Sequence, residues 1–326
     1  MAGHVWTTRF AYLIIPLFFY ISSEGQPGSS KSFSQQFSVV TENDRYLMQG
    51  RDRYYTNGLM IKYRNLHRAK NPAIIKRVDQ YEIGQKLFTP YSRKIYDVSQ
   101  IDRPVTGYLY LKYTQSKFME HNQFWEWGIS VGAIGDASLG EAMQNSFHKL
   151  ISVNSDWWGW IWKYQLNSEV GFNLNGSYAK ALLGSKSVVQ ITPFTQAVLG
   201  TIFSNISQGV LIQFGKFNPI SESAYWNASI QDKQTTKPVN SELFFYYHPE
   251  VSWQLYNATV QGGLFISDKG PIVSSIESFV IKHQIGVLVG VHRYTIKLEA
   301  VLQTKEASSQ YFGHNYGSIH LGYMFN

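Results

Sequence analysis

Between Phe37 and Phe325 the chain is written almost wholly in segments whose side chains alternate between apolar and polar, the period-two signature of strands with two unlike faces. The closing segment is the sharpest: Ile319, Leu321, Tyr323 and Phe325 point one way, and Ser318, His320, Gly322 and Met324 the other. Earlier, Leu59, Ile61 and Tyr63 alternate with Met60, Lys62 and Arg64. Tyr81, Ile83, Gln85 and Leu87 alternate with Glu82, Gly84 and Lys86, and Leu109, Leu111 and Tyr113 with Tyr110, Lys112 and Thr114. Strands are expected at 37–44, 55–64, 81–87, 109–114 and 124–133, then at 160–178, 188–203, 210–217, 242–261, 278–291, 294–303 and 316–325. Gly, Asn, Ser and Pro separate them, and about twelve such segments of roughly ten residues suit a closed barrel that crosses a membrane.

Composition bears on barrel against sandwich. Aromatic residues make up 16% of the chain, with 22 Tyr, 20 Phe and 9 Trp. Charged residues are also only 16%, against roughly 25% in an ordinary soluble domain. Such a surface suits lipid interfaces, where Tyr, Trp and Phe form girdles. In hydrocarbon every backbone N–H and C=O must be paired, and closing the sheet removes its bare edges. Residues 1–25 read as an export signal, with Arg9, an apolar stretch over 10–21 too short to span a bilayer, and Ser23-Glu24-Gly25 as a cleavage site. Its removal loses one charge of each sign, so the net charge stays at +7. The expectation is an all-β, transmembrane antiparallel β-barrel of about twelve strands over residues 26–326, in the outer membrane, with one short helix in an extracellular loop. The inward Lys62, Glu82, Lys86 and Lys112 are expected to form a charged network more than an open pore, and 218–241 to be one long loop.

The exception to the strands is Ser138 to Ile151. Ser138 followed three residues later by Glu141 has the spacing of a capping box. Leu139, Met143, Phe147, Leu150 and Ile151 fall on one apolar stripe, expected to pack inward, while Gln144 and His148 form a polar stripe beside it.

Three polar clusters remain: Glu42-Asn43-Asp44 after the first strand, Asp52-Arg-Tyr-Tyr-Thr-Asn-Gly58 entering the second, and Gln144 with His148 on the helix. Loops after strands one, three and five lie on one side of the barrel, so His148 can meet Asn43, Asp44 and Thr56 there. The bland reading of the second cluster is a Tyr-rich hairpin with an Asn-Gly turn. Ester chemistry is accessible to this set. The chain has no cysteine and no Gly-x-Ser-x-Gly elbow, which leaves a histidine-activated water, with Gln144 orienting the water or the ring. A hard cation on Asp44, Asn43 or nearby carbonyls could polarise the ester.

At these residues the sequence resembles the outer-membrane lipid A 3-O-deacylases. The matching features are Asn43-Asp44, the 52–58 block, Gln85-Lys-Leu-Phe-Thr-Pro90, Gln144-Asn-Ser-Phe-His148, the Trp-rich run into Tyr164-Gln-Leu-Asn-Ser-Glu169, and Tyr316-Gly-Ser-Ile. They cover nearly the whole chain after the export signal, in order. The resemblance implies a calcium-dependent esterase that removes the acyl chain at the 3-position of lipid A, with its site at the outer rim. It also implies His148 as general base, Thr56 among the polar residues around the metal, and Asn43 and Asp44 as its ligands. Either Arg93 or Lys94 matches the family's basic residue, and Asn154 and Asp156 stand where some members carry a carboxylate. The partners implied are lipopolysaccharide and the outer-membrane bilayer, without nucleic acid, for a protein acting as a monomer. The alternative from another class is a non-enzymatic barrel, a small porin or a surface binding protein.

Overall fold

The computed structural model describes residues 32–47, 53–69, 71–92, 95–150, 159–182, 188–232 and 240–326. The expected export signal, residues 1–25, lies outside them. Twelve strands run β1 (Gln35–Asn43), β2 (Tyr54–His67), β3 (Ile74–Thr89), β4 (Thr106–Met119), β5 (Gln123–Ile134), β6 (Glu169–Lys180), β7 (Val189–Gly200), β8 (Phe203–Lys216), β9 (Glu242–Asn257), β10 (Phe279–Val291), β11 (Tyr294–Gln303) and β12 (His314–Phe325). Each pairs antiparallel with its neighbours in sequence, and β1 pairs with β12, so the sheet closes into the barrel that the alternation predicts.

Among the described residues three α-helical segments interrupt the strands: α1 (Gly140–Leu150), α2 (Gly159–Trp162) and α3 (Ala258–Gln261). Two expected strands are therefore too long. The segment expected over 160–178 begins with the helical turn α2, and the one over 242–261 ends in α3, where the Asn257 side chain caps the turn through the Thr259 N–H at 3.0 Å. Aromatic and β-branched composition imitates a strand in both places, and in the second a side-chain cap marks the helical turn.

The two faces differ as lipid and lumen demand. Ile61, Ile83, Leu111, Ile129, Phe172 and Leu174 stand exposed on the outer wall. Toward the end of the barrel that carries both described termini, Tyr294, Tyr323, Phe325, Tyr63, Tyr81, Tyr113 and Trp127 follow one another around the outside, with neighbouring ring centroids 5.4 to 6.5 Å apart. Part of the tyrosine excess thus forms an interfacial belt, while Tyr55, Tyr108, Tyr110 and Tyr246 are buried inside. Inside, Lys62 pairs with Glu82 at 3.4 Å and the Tyr110 hydroxyl donates to Glu82 at 2.6 Å. Lys86 and Lys112 line the same cavity of about 530 Å³. The expected charged network is present.

Both mouths are filled. At the end with the termini, the connection after β8 folds back into the bore, burying Ile220, Trp226 and Ile230 against Phe118, Phe124 and Phe244. Its backbone N–H groups at Asn218 and Ala224 donate to Glu242, and Lys76 donates to the carbonyls of Ala228 and Ile230. The loop expected over 218–241 is, in its described part, a plug. At the opposite end Arg103 is fully buried, 4.2 Å from the Phe88 ring centroid, and donates to Thr259 and Glu306. Burial draws its pKa down. Apart from the plug after β8, the longer connections, including the one that carries α1, are at this end, which makes it the outer one.

Candidate active site on the outer wall of the barrel

Strand register says which side of the wall the candidate residues occupy. In β3, Ile83 faces outward and is 46% exposed, and Gln85 and Leu87 follow it on the same face. Yet Gln85 is only 5% exposed and Leu87 1%. They are covered from outside the barrel. The Gln85 amide donates to the Ser138 carbonyl at 2.6 Å, and a methyl group added at Gly140 would meet the Trp162 ring and Leu87. Leu87, Val105, Ile161 and Trp162 form a small apolar cluster that pins α1 and α2 to the wall.

The start of α1 differs from the expected capping box. Ser138 closes a 3-10 turn instead, its hydroxyl donating back to the Gly135 carbonyl at 2.5 Å, and Leu139 takes φ 56°, so the helix begins at Gly140. The helix is also turned the other way round from expectation. Leu139 is 60% exposed and Met143 lies on the exposed side, while Gln144 is 5% exposed. A helix lying on the outside of a membrane barrel has hydrocarbon above it, so apolar residues are tolerated on its outer side while Gln144 is turned inward, unlike the amphipathy of a soluble protein. The Gln144 carbonyl oxygen accepts from Trp162 Nε1 at 2.7 Å, which fixes the side chain and leaves its NH2 as the donor end.

Asn43 and Thr56 come together as expected. Asn43, last in β1, shares the outward face of Phe37 and Val39, and its amide donates to the Thr56 carbonyl at 2.8 Å. Thr56 occupies a bulge between Tyr55 and Asn57 in the β2–β3 ladder, and its hydroxyl donates to the Leu87 carbonyl at 3.4 Å. Leu87 lies against Gly140, so the start of α1 sits over the part of β3 whose carbonyl receives the Thr56 hydroxyl. Asp44 is 2% exposed and accepts from the Arg53 N–H at 2.7 Å, while Asn43 Oδ1 accepts from the Arg45 N–H at 2.8 Å. The Asn-Gly turn is not formed: Asn57 and Gly58 lie within β2, and Gly58 makes room for the hydroxyl of Tyr55 on its way to Glu42.

The side chain of His148, Arg93, Lys94, Asp52, Asn154 and Asp156 lie outside the described residues; the backbone of His148 belongs to α1, one turn after Gln144. Among the described residues no group of three His, Cys, Asp or Glu side chains is gathered as a cage for a metal ion. The donors at Asn43 and Asp44 are nevertheless all oxygens, one of them a buried carboxylate, a set that fits a hard cation such as calcium. Gln85, Trp162 and Ser138 escaped the sequence reading as parts of the site. A signal existed for Gln85, a polar residue on a face otherwise given to Tyr81, Ile83 and Leu87.

A closed barrel with a lipid-facing band and an aromatic belt defines an outer-membrane β-barrel protein, with a candidate site on its outer wall. Residues 13–325 match the family described as outer membrane protein LpxR, and the chain belongs to that family, the outer-membrane lipid A 3-O-deacylases whose motifs it carries. Among solved structures it is similar to LpxR from Salmonella typhimurium, with 18% identity, a TM-score of 0.70, and coverage of 89% of this chain and 100% of that one. The β domain of the Bordetella autotransporter BrkA shares 9% identity at a TM-score of 0.46, covering 90% of this chain and 99% of that one. No curated protein sequence matches the chain.

Proposed function

We propose that this protein hydrolyses the ester-linked acyl chain at the 3-position of lipid A, acting as a monomer on lipopolysaccharide in the outer leaflet. The observation that carries this reading is the placement of Gln85 and Asn43 on the outward face of the wall, with Gln144 on the buried side of α1, which lies outside it, and Leu139 and Met143 turned away from the wall. A lipid substrate reaches such a site without leaving the bilayer. The lumen, filled at both ends, gives a porin reading no support.

His148, one helical turn after Gln144, takes a proton from water. The resulting hydroxide attacks the ester carbonyl carbon, the bond to the sugar oxygen breaks, and that oxygen receives the proton from His148. The Gln144 NH2, oriented by Trp162, donates to the carbonyl oxygen as negative charge develops there. Calcium held by Asp44 and Asn43 would supply further polarisation of that carbonyl. Arg93 or Lys94 holds the anionic headgroup.

The test is the mass of lipid A from cells expressing the chain. Wild type should lose one 3-hydroxyacyl chain, while His148→Ala should insert normally and leave lipid A intact, and EGTA should inhibit reversibly. Unaltered lipid A with the wild type, together with ion conductance, would overturn the reading.

A further inference from the structure

The outer mouth carries a second built feature, beside Asp44 and apart from the residues assigned above. The Arg53 guanidinium lies 5.1 Å from the ring centroid of Tyr91 and 6.0 Å from that of Phe312. Tyr91 packs on Phe312 at 5.5 Å and meets Tyr311 edge-on at 6.0 Å. These rings come from two separate loops, yet each is tied down. The N–H groups of Tyr311 and Phe312 donate to the Tyr54 hydroxyl at 3.1 and 3.3 Å, and the Tyr91 N–H donates to Asp102 at 2.8 Å. Tyr311 and Phe312 nevertheless stay 58% and 54% exposed. Among the described residues the Arg53 guanidinium forms no ion pair and no side-chain hydrogen bond. Its own backbone N–H reaches Asp44 at 2.7 Å, so this cluster adjoins the candidate catalytic residues.

A stacked guanidinium uses its face on the rings and keeps its N–H groups in its plane, suited to a bidentate anion. Rigid, exposed aromatic faces suit the apolar side of a sugar ring. We infer that Arg53, Tyr91, Tyr311 and Phe312 form a subsite for a sugar bearing an anionic substituent, which orients the lipopolysaccharide headgroup over the hydrolytic site. This rests on the proposed function for its ligand. The anionic group belongs either to the lipid A disaccharide, as a phosphate, or to an acidic sugar of the attached core.

Binding to the full chain in detergent micelles separates these cases, using lipid A analogues with ethers in place of the 3-position esters so that turnover is irrelevant. Arg53→Gln should weaken binding of the phosphorylated analogue about tenfold and leave the dephosphorylated one unchanged. Phe312→Ala should weaken both, and Arg53→Lys should restore part of the loss. An Arg53 effect that appears only with an analogue bearing core acidic sugars assigns the anion to the core and keeps the subsite. Equal affinities for wild type and Arg53→Gln, or an equal loss on every analogue, would overturn it. Wild-type protein that binds the ether analogue but leaves native lipid A intact would defeat the hydrolase reading alone. Hydrolysis of native lipid A with variant affinities unchanged would defeat the subsite alone.

Discussion

The Tyr54 hydroxyl donates to Asp102 at 2.6 Å, joining the first residue of β2 to the loop between β3 and β4 across the outer mouth. The same oxygen accepts from the backbone of Tyr311 and Phe312 in the loop before β12, so one fully buried atom ties three segments together. Tyr54 sits at φ 62°, a conformation that a bulky residue adopts only where its surroundings enforce it. Tyr54→Phe keeps the ring and removes the hub. It should lower stability by about 1–3 kcal/mol, because two N–H groups and a carboxylate oxygen lose a buried partner. Thermal unfolding in detergent checks the magnitude, and faster proteolysis within 304–313 locates it.

Gly58 lies in β2 opposite Glu42. A methyl group there would press on the Tyr55 hydroxyl and come within 3.0 Å of Glu42 Oε2, the two groups that hydrogen-bond beneath the site. The ring that must move is rigid and packed against Phe88 and Tyr316 at 5.4 and 4.8 Å. Gly58→Ala should therefore destabilise the barrel by about 1–3 kcal/mol. The readout is the temperature at which the folded band is lost on gels run without boiling, and an unchanged temperature would show that the strand tolerates the methyl.

How much of this was legible depends on what each residue faces. In β12, Ile319, Leu321, Tyr323 and Phe325 met lipid and their neighbours met the lumen, so period two was visible without any structure. The helical period of α1 was equally visible, but its direction was not. Leu139 and Met143 look like a core stripe unless one knows that hydrocarbon lies outside. Asn57-Gly58 imitated a turn because the dipeptide favours one locally, whereas a close approach by Tyr55 explains the glycine. The pairing of Asn43 with Thr56 followed from loop order, while Gln85 was marked only as a polar residue on an apolar face, and its partner Ser138 depended on a loop folding back onto the outer wall, which no local pattern encodes.

Glu306 predicts how acid affects the outer cap. Burial alone would raise its pKa, but Arg103 and His314 more than offset this and hold it below the ordinary carboxylate range. A carboxylate with a depressed folded pKa contributes stability that is fully present above the unfolded value of about 4.3 and is lost as pH falls through the folded one. Stability should thus be flat with respect to this group from pH 7 to 5 and decline below about pH 4.3. Glu306→Gln should remove that part of the acid dependence. Melting temperatures of the two proteins across this range would then converge at low pH, and parallel curves would contradict the assignment.

Gln144 offers a separate test of the hydrolytic reading, because its carbonyl oxygen is held by Trp162 at 2.7 Å and its NH2 is the part assigned to the reaction. Gln144→Glu keeps an acceptor for Trp162 but removes the donor and adds negative charge where the developing oxyanion would lie. Gln144→Ala removes both. If Gln144 only anchors α2, the glutamate variant should deacylate normally and the alanine variant should be loosely folded. If it stabilises the reacting carbonyl, both variants should lose about 10²-fold in kcat, with the glutamate variant as stable as wild type. Turnover of lipid A by the purified variants, measured beside their melting temperatures, separates the two roles.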